Sequence, residues 1–203
     1  EQQGHSALAV TMDVTDSDSV DAGFSTAEAA FGVCDILVNN AGIGDPVPFL
    51  EMTEGNWRSM LDTNLDGAWR VAHRACLAMA KSGQGGSVIN IASILGLRVG
   101  TALSHYAVAK AGVVQLTKAM SLELARNNIR VNAIAPGYFR TEMNSDYFDT
   151  EHGQNYIRSK VPMRRLGMLS ELDGPLLLLA SEAGSFMTGS VLNVDGGHLN
   201  NSL

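Results

Sequence analysis

The chain is poor in cysteine, aromatics and positive charge, and each scarcity removes a class of function. Its 203 residues include two cysteines, five prolines and 6% aromatics. Cys34 and Cys76 stand alone in apolar patterns without metal-ligand spacing. That excludes a disulfide framework or a metal cluster and fits buried free thiols in a reducing cytoplasmic setting. Lys and Arg number 14 against 21 Asp and Glu, giving a net charge of −7 with no basic cluster. That balance argues against a nucleic-acid surface and an anionic membrane. The longest apolar stretches, 86–95 and 175–180, fall well short of the roughly 20 residues a membrane span requires. Neither terminus resembles a secretion signal or a lipidation site.

What is present is apolar content of 45%, enough for one domain, 1–203, with a sizeable core. Short β-type runs alternate with longer helical patterns. Leu8–Met12 (LAVTM), Asp35–Asn39 (DILVN), Ser87–Ala92 (SVINIA), Arg130–Ala135 (RVNAIA) and Val191–Val194 read as strands. Between them, Asp16–Gly32 reads as a helix capped by Asp16 or Ser17. A long helix follows Thr53, another covers about 102–127, and Ser170–Ala180 is a helix with Ser170 and Asp173 at capping-box spacing. Alternation of this kind predicts an α/β fold, a doubly wound parallel sheet covered on both faces. Residues 139–167 are polar and irregular, with short helices at most. They are too long for an ordinary connection, which suggests a substrate lid.

In such a sheet, ligands bind beyond the carboxyl ends of the strands. Asp13 follows LAVTM, Asn39-Asn40-Ala41-Gly42 follows DILV, Ser93 follows SVINIA, and Pro136-Gly137 follows RVNAIA. Tyr106 and Lys110 lie one helical turn apart, 13 residues after Ser93. A Tyr-x-x-x-Lys pair alone is a weak signal, because i,i+4 spacing is usually a solvated face. Joined with the strand-end elements, with Asn64 inside a helix, and with Thr141 after Pro136-Gly137, it is no coincidence. The chemistry it offers is proton transfer at a carbonyl oxygen. A tyrosine with an ordinary pKa near 10 becomes a useful acid–base when a cation such as Lys110 lowers that value.

These landmarks, with Asp13-Val14, Thr188-Gly189 and Val194-Asp195-Gly196-Gly197, resemble in order those of the short-chain dehydrogenase/reductase family. APGYFRTEM and SVLNVDGGHL are similar to its 3-oxoacyl-carrier-protein reductase-like and gluconate 5-dehydrogenase-like members. The resemblance implies a Rossmann-like oxidoreductase that uses NAD or NADP on a small-molecule alcohol/ketone pair. It implies that Tyr106 is the acid and base, that Ser93 holds the substrate oxygen, and that Lys110 also holds cofactor ribose hydroxyls. Asn64 would mark a helix irregularity whose freed carbonyl holds a water relaying protons to Lys110. Asp13 and Val14 would meet adenine, Asn40, Ala41 and Gly42 would let the cofactor approach the backbone, and Pro136, Gly137 and Thr141 would flank the nicotinamide. It also implies a homotetramer, or a homodimer, built on the two long helices. His105, about 100° around the helix from Tyr106, is expected at the surface or an interface. Trp57 and Trp69 are expected in core or oligomer packing.

The family's Gly-rich phosphate turn has no counterpart before LAVTM. The chain opens on Glu1, and EQQG reads as a helix end closed by Gly4. Both features predict an upstream segment of two βα units, roughly 50–60 residues, absent from this chain together with the residue that distinguishes NAD from NADP. The expected sheet is therefore N-terminally incomplete, lacking its first two strands, with LAVTM displaced or irregularly paired beside DILV. The reading that competes with an oxidoreductase is a truncated, cofactor-free chain acting as an oligomerisation scaffold or a partly ordered fragment.

Overall fold

The computed structural model describes residues 4–140 and 145–201. Its sheet has four strands, β1 Ile36–Asn39, β2 Gly86–Ile91, β3 Ile129–Pro136 and β4 Val191–Val194. They lie in the order β1-β2-β3-β4, and every pairing is parallel. Each strand is reached through helical crossovers, so this is the Rossmann-like doubly wound arrangement that the alternating pattern predicts.

The helices begin where polar side chains can satisfy free amides. Asp16 accepts from the Asp18 amide to open α1, Ser17–Phe31, and Gly32 (φ 82) closes it. Thr53 and Asn56 form a reciprocal capping box at the start of α2, Glu54–Leu61. A π turn, Asp62–Asp66, joins α2 to α3, Gly67–Ser82. α4, Ser104–Leu124, carries the Tyr-x-x-x-Lys pair. After β3 come α5, Ser145–Phe148, and α6, Glu151–Lys160. The ten-residue α6 is more regular than the polar composition of 139–167 suggests. Thr150 caps it through the Gly153 amide, and Arg158 and Lys160 occupy its last turn.

α7, Asp173–Ala180, starts later than its sequence pattern predicts, after a 3-10 turn over Leu169–Leu172. The expected Ser170–Asp173 box does not form. Glu171, held by Arg165, accepts from the Met168 amide instead and tightens the entry into a 3-10 turn.

Alternation along the strands divides the core. Leu37, Val88 and Val131 pack with α1 and α3, while Ile89 and Ile134 face the other way onto Leu179 of α7. Ala92, Val113 and Ala133 fill the space under α4. Coverage of both faces fails at β1. Its outward residues Ile36 and Val38 are 43% and 41% exposed, since no described helix packs there.

Leu8–Met12 is not a strand, and it does not pair beside β1, whose single neighbour is β2. A strand needs a backbone partner, and among the described residues none lies alongside this run. Its end is held instead by side chains. Met12 and Val14 pack on the core beneath α1 and α3, and the Asp13 amide donates to Ser19 Oγ. Among the described residues, no helix is long and apolar enough to cross a membrane.

Candidate active site

The carboxyl ends of β1, β2 and β3 open onto one cleft of about 700 Å³. Asn40 and Gly42 line it after β1, Ser93 after β2, Pro136 and Gly137 at the end of β3, and Tyr106 and Lys110 from α4. Seven residues singled out from the sequence thus converge from four elements. Ile43, Ile91, Ala92 and Leu169 complete the lining; Ile91 and Ala92 belong to the expected strand, and no polar signal marks Ile43 or Leu169.

Lys110 is buried, and its Nζ donates to the Ile91 carbonyl at the end of β2, 2.8 Å away. Burial pushes its ammonium down to about 8. Nζ lies 5.8 Å from the centre of the Tyr106 ring. Tyr106 itself is pushed up by burial and pulled partly back by a hydrogen bond with the Ser93 hydroxyl. The net shift is therefore upward, opposite to the lowering expected beside Lys110, because desolvation of the phenol dominates. Ser93 is also buried, and its Oγ accepts from the Leu95 amide, which fixes the hydroxyl at the head of the Ile94–Gly96 turn.

Asn64 lies inside the π turn, one layer behind the cleft. Its Oδ1 accepts from the Ile43 amide and its Nδ2 donates to the Ile43 carbonyl, both at 2.8 Å. The helix irregularity expected there exists, and it turns a side-chain amide onto the loop that follows β1. That loop is bare backbone at Gly42. A Cβ there would lie 3.0 Å from Asn64 Oδ1 and 3.7 Å from Lys110 Nζ.

Asp13, Val14 and Ala41 are not brought into the cleft lining. The Asp13 carboxylate accepts from the Thr15 amide and hydroxyl, and the amide bond in particular holds it below the usual carboxylate range. Val14 sits on Gly67, where a Cβ would come within 2.8 Å of its Cγ2. Close approach explains a glycine in mid-helix. Thr141 lies outside the described residues.

His105 corrects the sequence reading. It is fully buried, and neither ring nitrogen has a partner among the described residues. α4 packs on α2 and the π turn as well as on the sheet, so two faces about 100° apart are both covered. Trp69 is half-exposed and stacks on His73. Asp146, Asp149 and Glu151 form an exposed polar face on the segment after β3, with Asp149 paired to Arg140.

Below the cleft runs a buried polar chain. Asn39 Nδ2 donates to the Ala68 carbonyl (2.7 Å) and to Asn90 Oδ1 (3.2 Å). Asn90 Nδ2 donates to Thr117 Oγ1 (2.9 Å), and that hydroxyl donates to the Val113 carbonyl (2.8 Å). It ties α3, β1, β2 and α4 together directly behind the residues they present. Asn39 belongs to the polar element that follows DILV in the sequence. Asn90 was not singled out, although an asparagine within SVINIA was the available signal. After β4, Asp195 accepts from the Gly197 and Leu199 amides, and Gly196 and Gly197 take positive φ to turn the chain back beside Gly137.

A family model described as Enoyl-(Acyl carrier protein) reductase matches residues 1–198. The 3-oxoacyl-(acyl-carrier-protein) reductase FabG of Chlamydia trachomatis serovar D is 39% identical over 197 residues, covering 97% of this chain and 78% of that protein. The 2-dehydro-3-deoxy-D-gluconate 5-dehydrogenase of Escherichia coli K12 is 37% identical over 196 residues, with the same two coverages. A crystal structure of a gluconate 5-dehydrogenase from Burkholderia cenocepacia J2315, in complex with NADP and tartrate, superposes with a TM-score of 0.94 at 35% identity, covering 99% of this chain and 78% of that one. With a family match over nearly its whole length and relatives at these identities, the chain belongs to the short-chain dehydrogenase/reductase family of NAD(P)-dependent oxidoreductases.

Proposed function

We propose that the chain interconverts a secondary alcohol and a ketone, with Tyr106 as the acid and base. The observation that carries this reading is the convergence of half-buried Tyr106 with buried Lys110 and Ser93 on one cleft. In the reduction direction Tyr106 donates its proton to the carbonyl oxygen, and in oxidation it takes that proton back. Ser93 hydrogen-bonds the same oxygen and fixes its position, a matter of orientation and charge stabilisation. A phenol raised by burial suits the acid of the reduction, because it stays protonated at neutral pH.

The residues fit the nicotinamide–ribose end of NAD(P). The bare backbone at Gly42 leaves room beside Lys110, and Pro136-Gly137 lines the same space. Lys110 would hold the ribose hydroxyls, Asn40, Ala41 and Gly42 the ribose face, and Pro136, Gly137 and Thr141 the nicotinamide amide. Asp13 and Val14 would take the adenine. When bound, the dinucleotide supplies or accepts the hydride. Asn64 is a positioning residue that clamps Ile43, and its backbone carbonyl is the proposed relay point toward Lys110. The segment 139–167 is proposed as the lid of a single domain. Half-exposed Trp69 and exposed Leu77 and Leu122 on α3 and α4 support assembly through these helices, as a homotetramer or, next, a homodimer.

Titration of NADH and NADPH, read by nicotinamide fluorescence and followed by oxidation with a ketone panel, tests the proposal. Binding and turnover are expected. Tyr106→Phe should retain binding and lose about 10³-fold in kcat. The competing reading is a truncated, cofactor-free chain acting only as an oligomerisation scaffold or a partially ordered fragment of the enzyme. A flat titration with intact oligomers would favour it.

A further inference from the structure

Resting on the oxidoreductase reading, we propose that the substrate of this cleft is an uncharged ketone carrying an apolar arm, not a sugar acid or other keto acid. A carboxylate taken into a cleft must exchange its hydration for a cation or several donors, or it is rejected. Among the described residues, the cleft's sole cation is Lys110, and beyond its bond to the Ile91 carbonyl its remaining donors are those the oxidoreductase reading assigns to the cofactor ribose.

None of the arginines of the surrounding segments lines this cleft. Arg98 donates to the His198 carbonyl, Arg140 pairs with Asp149, and Arg165 holds Glu171 through two contacts of 2.7 Å. Arg164 is exposed and lines neither this cleft nor the adjoining 110 Å³ cavity around Tyr138. Residues 141–144, Thr-Glu-Met-Asn, contribute no basic group to the sequence.

In place of cations the cleft offers uncovered apolar surface. Ile43 is 38% exposed on one side and Leu169 is 59% exposed on the other. Leu169 opens the 3-10 turn that Glu171 pins, so it has a fixed place rather than a free end. A hydrocarbon arm beside the reacting carbonyl would cover these two side chains. The chain's net charge of −7 adds a general repulsion of anions.

The test compares kcat/KM, with saturating NADH or NADPH, for N-acetylcysteamine thioesters of 3-oxobutanoate and 3-oxooctanoate and for 5-keto-gluconate. We expect the thioesters to exceed the sugar acid by at least tenfold, and the eight-carbon arm to exceed the four-carbon arm by at least threefold. A smaller or reversed preference in either comparison overturns the inference and leaves the dehydrogenase reading standing. Turnover of none of the ketones overturns both. Leu169→Arg, which places a cation at the cleft, should narrow the thioester preference at least tenfold. An unchanged ratio overturns the assignment of this surface as the discriminating one.

Discussion

Leu8–Met12 and β2 look alike as text, since each is a short apolar run closed by a polar residue that leads into a helix. In the fold they differ completely. β2 is flanked by β1 and β3, its Val88, Ile89 and Asn90 are fully buried, and Asn90 adds side-chain ties to Asn39 of β1 and to Thr117 of α4. Leu8–Met12 pairs with nothing among the described residues, and Leu8 is nearly half exposed. β-propensity describes how well a residue suits a pleated, half-buried surface, and the surface itself has to come from elsewhere. One run has partners and carries the edge of the sheet that opens onto the candidate site, while the other is an extended lead held by Met12 and Val14.

Amide hydrogen exchange should separate the two runs most strongly. Amides of 88–91 should exchange at least about a thousandfold more slowly than those of 8–11, since local opening of an unpaired segment costs almost nothing. Comparable protection would mean that Leu8–Met12 has found a partner.

A second contrast lies in pH. Lys110 is at about 8 in the folded chain against 10.5 for an ordinary lysine. Below pH 8 it is charged both folded and unfolded, and the burial penalty is fully present. Between 8 and 10.5 the unfolded chain binds more protons, so stability rises with pH by up to about 3 kcal/mol, then levels off. Urea denaturation of wild type and Lys110→Met at pH 7.5, 9 and 10 should show this rise in the wild type alone.

Asn90→Ala should cost about 2 kcal/mol in the same denaturant assay, because Thr117 and Asn39 lose a partner in a dry interior. Asn90→Ala should also lower kcat more than it raises KM, since the tie sits behind the Lys110–Ile91 contact. At the other end of the scale, Leu8→Ser should change stability by no more than about 0.5 kcal/mol. A loss comparable to that of Asn90→Ala would show the lead packing against something.

The sequence carried the fold class because its signals were local. Strand runs, Asp16 and Thr53 as caps, and glycines at turns each act within a few residues. The candidate site was legible for the same reason, since strand ends of a parallel sheet meet at one edge whatever lies between them. What it could not carry depended on distant surfaces. The exposure of Ile36 and Val38 follows from which helices cover β1, and the burial of His105 follows from α2 lying against α4. The acidities of Tyr106 and Lys110 follow from desolvation, and Lys110 is held by a carbonyl 19 positions away, which no spacing rule reaches. The delayed start of α7 follows from Arg165 competing for Glu171, a pairing hidden in a polar stretch.

The π turn at Asp62–Asp66 has a consequence for how this chain can change in length. The Gly67 amide reaches back to the Asp62 carbonyl, one residue beyond the α-helical partner. The wide turn takes up one extra residue within a single turn, so Val71, Ala75 and Met79 keep the phase on the sheet that a regular helix one residue shorter would give them. Deleting a residue from 62–66 would restore a regular helix and leave that face in place. It would withdraw Asn64 from Ile43. A loss of one residue, a shift of phase in most helices, is absorbed here, and what it removes is the clamp behind the cleft.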